Sequence, residues 1–134
     1  MLIRYIISFL VFVAVDAIWL TNANQFYRQH IGHLMQDEPN LASAAVFYLL
    51  FLAGINLFVL HPHATSSYKI ISLYGAAFGL VTYATFDLTS QAVFKEFPTI
   101  VVVVDLCWGM ILSTSICVIT TWIMRRFFAK KPTE

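Results

Sequence analysis

The sequence predicts an all-α bundle of four membrane-spanning helices, with a short interfacial helix between spans one and two. Three observations predict it. Of 134 residues, 60% are hydrophobic and 11% charged, with a mean hydropathy of +0.78, whereas a soluble domain usually carries about 25% charge. The apolar residues gather into four stretches near the roughly 20 residues that a bilayer span requires. Short polar or proline-bearing segments separate these stretches. With so little polar surface, lipid is the expected main solvent, and residues 1–134 form one integral membrane domain.

The first span is expected over residues 2–20. Arg4 resembles a thin leader n-region, but Asp16 and Trp19 interrupt the apolar run, so it reads as a span rather than a cleaved leader. The second span, 44–60, stops at His61-Pro62, where proline cannot continue a helix. The third covers 70–94. The fourth, 99–124, opens after Pro98, where a missing N–H does least harm. The segment 21–43 is the longest polar one. Phe26, Ile31, Leu34 and Met35 lie near helical spacing within it, which predicts a short helix lying on the membrane surface and ended by Pro39.

Four spans place both termini on one side with the loop 61–69. That side carries Arg4, Lys69, Arg125, Arg126, Lys130 and Lys131, against Arg28 and Lys95 on the other. The imbalance predicts cytoplasmic termini. A net charge of +1, with no Lys/Arg run interleaved with aromatics, excludes a nucleic-acid partner. The expected partner is membrane lipid. A bundle this small needs a second copy or a larger membrane complex if anything is to cross.

Three aspartates fall inside apolar stretches: Asp16, Asp87 and Asp105. Intramembrane carboxyls are expensive and point to function by default. Asp16 and Asp87 lie near the ends of outward-running spans, and Asp105 lies near the start of an inward-running one. At about 1.5 Å per residue they share one layer, roughly 6 to 11 Å below the outer surface. If they converge, burial and mutual repulsion keep them from all being ionised together. Helical spacing adds neighbours: Tyr83 one turn from Asp87 on the third span, Thr89 beside it, Trp19 after Asp16 and Trp108 after Asp105. Tyr48 on the second span lies near the same layer, with Asn56 deeper.

The strings VAVDAIWL and VVVDLCWG each set Trp three residues after Asp. Inverted-topology repeats would put the two aspartates in opposite leaflets, but here both belong to one. Two helices thus supply the same pair of groups to one layer. Gly75 and Gly79 form a Gly-x-x-x-Gly stripe, read as helix packing.

Plainer readings stand beside these. The aspartates can cap and lock helices, and Trp19 and Trp108 can pack or anchor at an interface. His30 and His33 share a helical face near Asp37 and Glu38, but two histidines without a His-Glu-x-x-His pattern do not make a metal site. Cys107 and Cys117 are about 15 Å apart along one helix, too far to pair. No Gly-x-Ser-x-Gly, phosphate loop or Cys-x-x-Cys is present, so no cofactor is implied, and catalytic residues are not assigned.

The strings VDAIWLTNANQFYRQHIGHLM, AAVFYLLFLAGINLFVLHP, GAAFGLVTYATFDLTSQAVF and VVVVDLCWGM resemble the bacterial membrane-protein family catalogued as domain of unknown function 2177. The most specific part is Tyr83-Ala84-Thr85-Phe86-Asp87-Leu88-Thr89. The family usually has tyrosine at the fourth of these positions, so Phe86 departs from it. The resemblance implies a small four-helix protein of the bacterial inner membrane and transfers no activity, substrate or cofactor. Three functions follow as expectations. The first is binding or transport of a small cation, protons or a lipid-like ligand at the carboxylate layer. The second is a membrane enzyme on lipid or quinone using a carboxyl as acid or base. The third is a structural or accessory subunit.

Overall fold

The computed structural model describes residues 2–128, which fold as four long helices with no strand among them. The helices are α1 (Leu2–Ile31), α2 (Leu41–Ile55), α3 (Tyr68–Val93) and α4 (Thr99–Phe127). In hydrocarbon every backbone N–H and C=O must be satisfied within the segment, and a helix does this alone. Large apolar side chains such as Leu10, Ile18, Leu50, Leu73, Val81 and Ile111 point outward and are exposed. That exposure suits a lipid solvent.

The segment expected to hold a separate surface helix is mostly a continuation of α1. Nothing between Leu20 and Gly32 stops a helix. Thr21 Oγ1 and Asn22 Nδ2 donate back to the carbonyls of Ala17 and Ile18, both at 2.7 Å, so these polar side chains settle on the helix itself. At about 1.5 Å per residue, α1 is roughly 45 Å long and outreaches the roughly 30 Å hydrocarbon layer. A short 3₁₀ turn, Gly32–Leu34, then closes it.

α2 starts earlier than residue 44 because the Asn40 side chain caps it, accepting from Ser43 N at 3.1 Å. Its last turn widens to a π segment, Asn56–Leu60, before His61-Pro62 ends the run. Asn56 Nδ2 there donates to Ser8 Oγ on α1 at 2.8 Å, and Ser8 Oγ donates to Tyr5 O at 2.9 Å. Ser67 caps α3 by accepting from Ile70 N. Pro98 precedes α4 directly, as its place in the sequence suggests.

The α3–α4 interface is the most extensive, followed by α1–α4. Gly75 and Gly79 lie where α3 meets α4. A Cβ at Gly75 would sit 3.2 Å from both Cys117 Sγ and Thr114 Cα, and one at Gly79 would overlap the Gly109 carbonyl. Phe12, Leu52, Ile55, Leu112 and Ile116 fill the centre and are essentially inaccessible.

One end of the bundle is fastened by arginines. Arg4 donates to Leu60 O at 3.3 Å, and Arg125 Nη2 donates to Ala64 O at 2.9 Å and Ser66 O at 2.6 Å. The start of α1, the α2–α3 loop and the end of α4 therefore share this basic end. Lys130 and Lys131 lie outside the described residues.

Candidate functional site

Towards the opposite end, the helices part around a cavity of about 220 Å³. The sequence dictates its walls helix by helix. On α1, Asp16, Trp19, Ala23 and Tyr27 follow one face at offsets of three, seven and eleven residues. On α4, the Asp-x-x-Trp spacing sends Asp105 and Trp108 to one side. Tyr48 comes from α2 and Tyr83 from α3. Asp16, Asp105, both tryptophans and all three tyrosines line the cavity.

The paired Asp-x-x-Trp strings meet in space. Trp19 and Trp108 stack with centroids 4.3 Å apart and planes inclined by 7°. Each aspartate has a tyrosine donor from elsewhere: Tyr48 Oη donates to Asp16 Oδ2 at 3.1 Å, and Tyr27 Oη donates to Asp105 Oδ1. Trp19 Nε1 donates to Tyr27 Oη at 3.2 Å, which continues the chain of donors towards Asp105. Trp108 Nε1 lies near Asp16 but closes no hydrogen bond, leaving a buried donor without a partner.

The third aspartate sits differently. Asp87 is 1% exposed, does not line the cavity and neighbours Asp105. Its Oδ1 has no donor among the described residues. Tyr83 does not supply one. Its ring lies against Gly109, where a glycine leaves room, and its edge faces the cavity. Thr89 does not join the group either: it is exposed, and its hydroxyl returns to the carbonyls of Thr85 and Phe86 on its own helix. Gly75 and Gly79 stay with the packing below. His30 Nδ1 meets the Phe26 carbonyl at 2.8 Å, while His33 is exposed.

Tyr27 is the contact that sequence reasoning missed. The signal was present in the eleven-residue offset from Asp16, but it is visible only if the helix runs on past Leu20. Tyr27 and Leu20 also line a second, wider cavity of about 670 Å³, formed with Arg28, Met35, Asp37 and Ser43. These two side chains therefore divide the carboxylate cavity from an outer vestibule.

Residues 1–122 match the family described as "Predicted membrane protein (DUF2177)". The chain belongs to that family. No curated protein and no solved structure matches the chain. In this DUF2177 member the string Tyr83 to Thr89 divides by face: Tyr83 and Asp87 turn towards α4, while Thr85, Phe86 and Thr89 are exposed. As a membrane-embedded protein it contacts lipid over the apolar outer faces of its helices.

Proposed function

We propose that this DUF2177 protein binds a small organic cation of the ammonium type in the carboxylate cavity. The observation that carries the reading is the convergence of two carboxyls and seven aromatic rings on one small space. Carboxylates in a medium of low dielectric attract a cation far more strongly than they would in water. Aromatic faces add cation–π attraction, worth more when the cation is desolvated. The volume suits a few heavy atoms, since pockets for drug-sized ligands run from about 300 to 1,000 Å³.

In this reading Asp16 and Asp105 are the acceptors, each oriented by a tyrosine donor. Asp87 neighbours Asp105 and adds a third carboxyl beside the cavity. Protons then compete with the cation, and affinity falls as pH falls. The excess of basic residues at the opposite end supports cytoplasmic termini in a bacterial inner membrane, with the cavity near the outer leaflet. Transport would add the requirement of a second copy or a partner subunit to complete a path.

The test is a tryptophan-fluorescence titration of the purified full chain with methylammonium, tetramethylammonium and potassium. A saturable change with the organic cations, weakened about tenfold or more in Asp105→Asn, is expected. No saturable change in folded protein overturns the reading, and a response to potassium alone moves it to an inorganic cation.

A second reading is favoured by one observation, the Asp87–Asp105 pair. Neighbouring carboxyls next to a cavity are also what a membrane enzyme acting on lipid or quinone needs for acid–base work. That reading requires Asp105 to accept or give the proton during turnover. Loss of product formation from a quinone or lipid substrate in Asp105→Asn, with cation binding absent in the wild type, would select it.

A further inference from the structure

A different cavity lies at the basic end, about 120 Å³ in volume and enclosed by Arg4, Leu60, Ala64, Thr120, Thr121 and Arg125. It is too small for a drug-sized ligand and suits one compact polyatomic ion. Three independent features describe what that ion is.

The first is the pair of guanidiniums, from α1 and α4. Each guanidinium has five N–H donors in a planar fork. Arg4 uses Nη1 for the Leu60 carbonyl, and Arg125 uses Nη2 for the carbonyls of Ala64 and Ser66. The backbone contacts fix both forks and leave further donors on each. The Arg125 guanidinium also lies 5.0 Å from the centre of the Tyr68 ring, which holds its plane.

The second is the absence of a counter-charge among the described residues. Every described carboxylate belongs to the other half of the molecule: Asp37 and Glu38 follow α1, Glu96 follows α3, and Asp16, Asp87 and Asp105 surround the carboxylate cavity. Two partly buried cations bordering one small cavity repel each other unless an anion joins them.

The third is Thr120. It is fully buried, it borders this cavity, and its Oγ1 has no hydrogen-bond partner among the described residues. Threonines on helices usually donate to a carbonyl one turn back, as Thr21, Thr82 and Thr85 do here. An unpartnered buried hydroxyl is unfavourable, and an acceptor placed in the cavity would partner it.

We propose that this cavity binds a phosphate oxyanion, with the forks of Arg4 and Arg125 on its oxygens and the Thr120 hydroxyl as a third donor. Guanidinium forks match phosphate geometry. Arg4 lies in the first turn of α1 and Arg125 in the last turn of α4, the level at which a lipid headgroup phosphate meets the bundle. The chemistry is the same for a headgroup and for the free ion.

Native mass spectrometry of the full chain in detergent separates these sources. The probes are phosphatidylglycerol, phosphatidylcholine and inorganic phosphate, applied to the wild type, Arg4→Gln and Thr120→Val. A one-to-one phosphatidylglycerol adduct is expected, at occupancy at least fivefold above phosphatidylcholine and reduced threefold or more in each variant. Failure of inorganic phosphate to displace it assigns the site to a headgroup, and displacement at comparable concentration assigns it to the free ion. Equal retention of both lipids with no phosphate adduct overturns the proposal, as does an adduct unchanged in both variants. Arg125→Gln is avoided because Arg125 also holds the α2–α3 loop. Arg4 is half-buried with one backbone contact, and Thr120→Val keeps the side-chain shape, so both variants retain the fold.

Discussion

Along one helix pair, α3 and α4 change character within two turns. Around Gly75, Gly79 and Gly109 their backbones approach so closely that a single Cβ would collide. At Tyr83, Asp87, Asp105 and Trp108 the same pair carries rings and carboxyls beside open space. The lower region satisfies some polar groups locally, as Asn56 does with Ser8, but leaves the buried hydroxyls of Ser113 and Thr120 without partners among the described residues. The upper region likewise leaves Asp87 Oδ1 and Trp108 Nε1 without partners among the described residues. Unpartnered atoms occur in both regions; what sets the upper one apart is open space lined by carboxyls and aromatic rings, where another molecule has room. The tight region holds the helix axes and lets the upper side chains keep their geometry around a cavity.

Substitutions can break this contrast, and they fall in order of size. Gly79→Ala should be the most damaging, lowering stability by about 3 kcal/mol, because its Cβ overlaps backbone that cannot move aside. Thermal unfolding followed by circular dichroism in detergent would show it, and a neutral result would remove the close approach as the organising contact. Tyr27→Phe leaves Asp105 without its hydroxyl donor and should cost about 1.5 to 3 kcal/mol. It should also weaken cation binding in the fluorescence titration, whereas a purely structural hydroxyl would change the melt alone.

Asn56→Ala removes the donor to buried Ser8 and should cost about 1 kcal/mol. Its cation titration should match that of the wild type, since Asn56 belongs to the lower region. Asp87→Asn sharpens the contrast further. An amide beside Asp105 carries no titrating proton, so stability should change by less than about 1 kcal/mol, while cation affinity loses part of its dependence on pH. A large drop in melting temperature with an unchanged titration would favour the structural-subunit role. The smallest effect belongs to Thr89→Val, expected within about 0.5 kcal/mol and silent in binding, because that hydroxyl bonds only to its own helix.

Much of the site was legible before any coordinates. Asp16 and Asp105 stand out because a carboxyl in an apolar run is rare, and the repeated Asp-x-x-Trp spacing ties each to a tryptophan on the same face. Tyr27 was hidden by the polarity of residues 21–31, which marks where the membrane ends and says nothing about where the helix ends. Tyr83 illustrates the reverse error. Its position one turn from Asp87 places it beside that carboxyl in the sequence, but the glycine at 109 on the facing helix seats its ring instead. Thr89 was grouped with the site by nearness in sequence, and its helical phase turns it outward.

The sequence by itself determined four helices long and apolar enough to cross a membrane, their limits near Pro62 and Pro98, and membership of the DUF2177 family. These depend on hydrophobicity, chain length and backbone chemistry, which act locally. Only the tertiary structure decided that Trp19 stacks on Trp108, that Asp87 neighbours Asp105 while Asp16 stands across the cavity, and that Arg4 and Arg125 border one small space. Those pairings depend on how closely α3 and α4 approach and on the angle at which α1 crosses them. Hydrophobic periodicity fixes which face turns inward, and it leaves the choice of partner across the interface to packing.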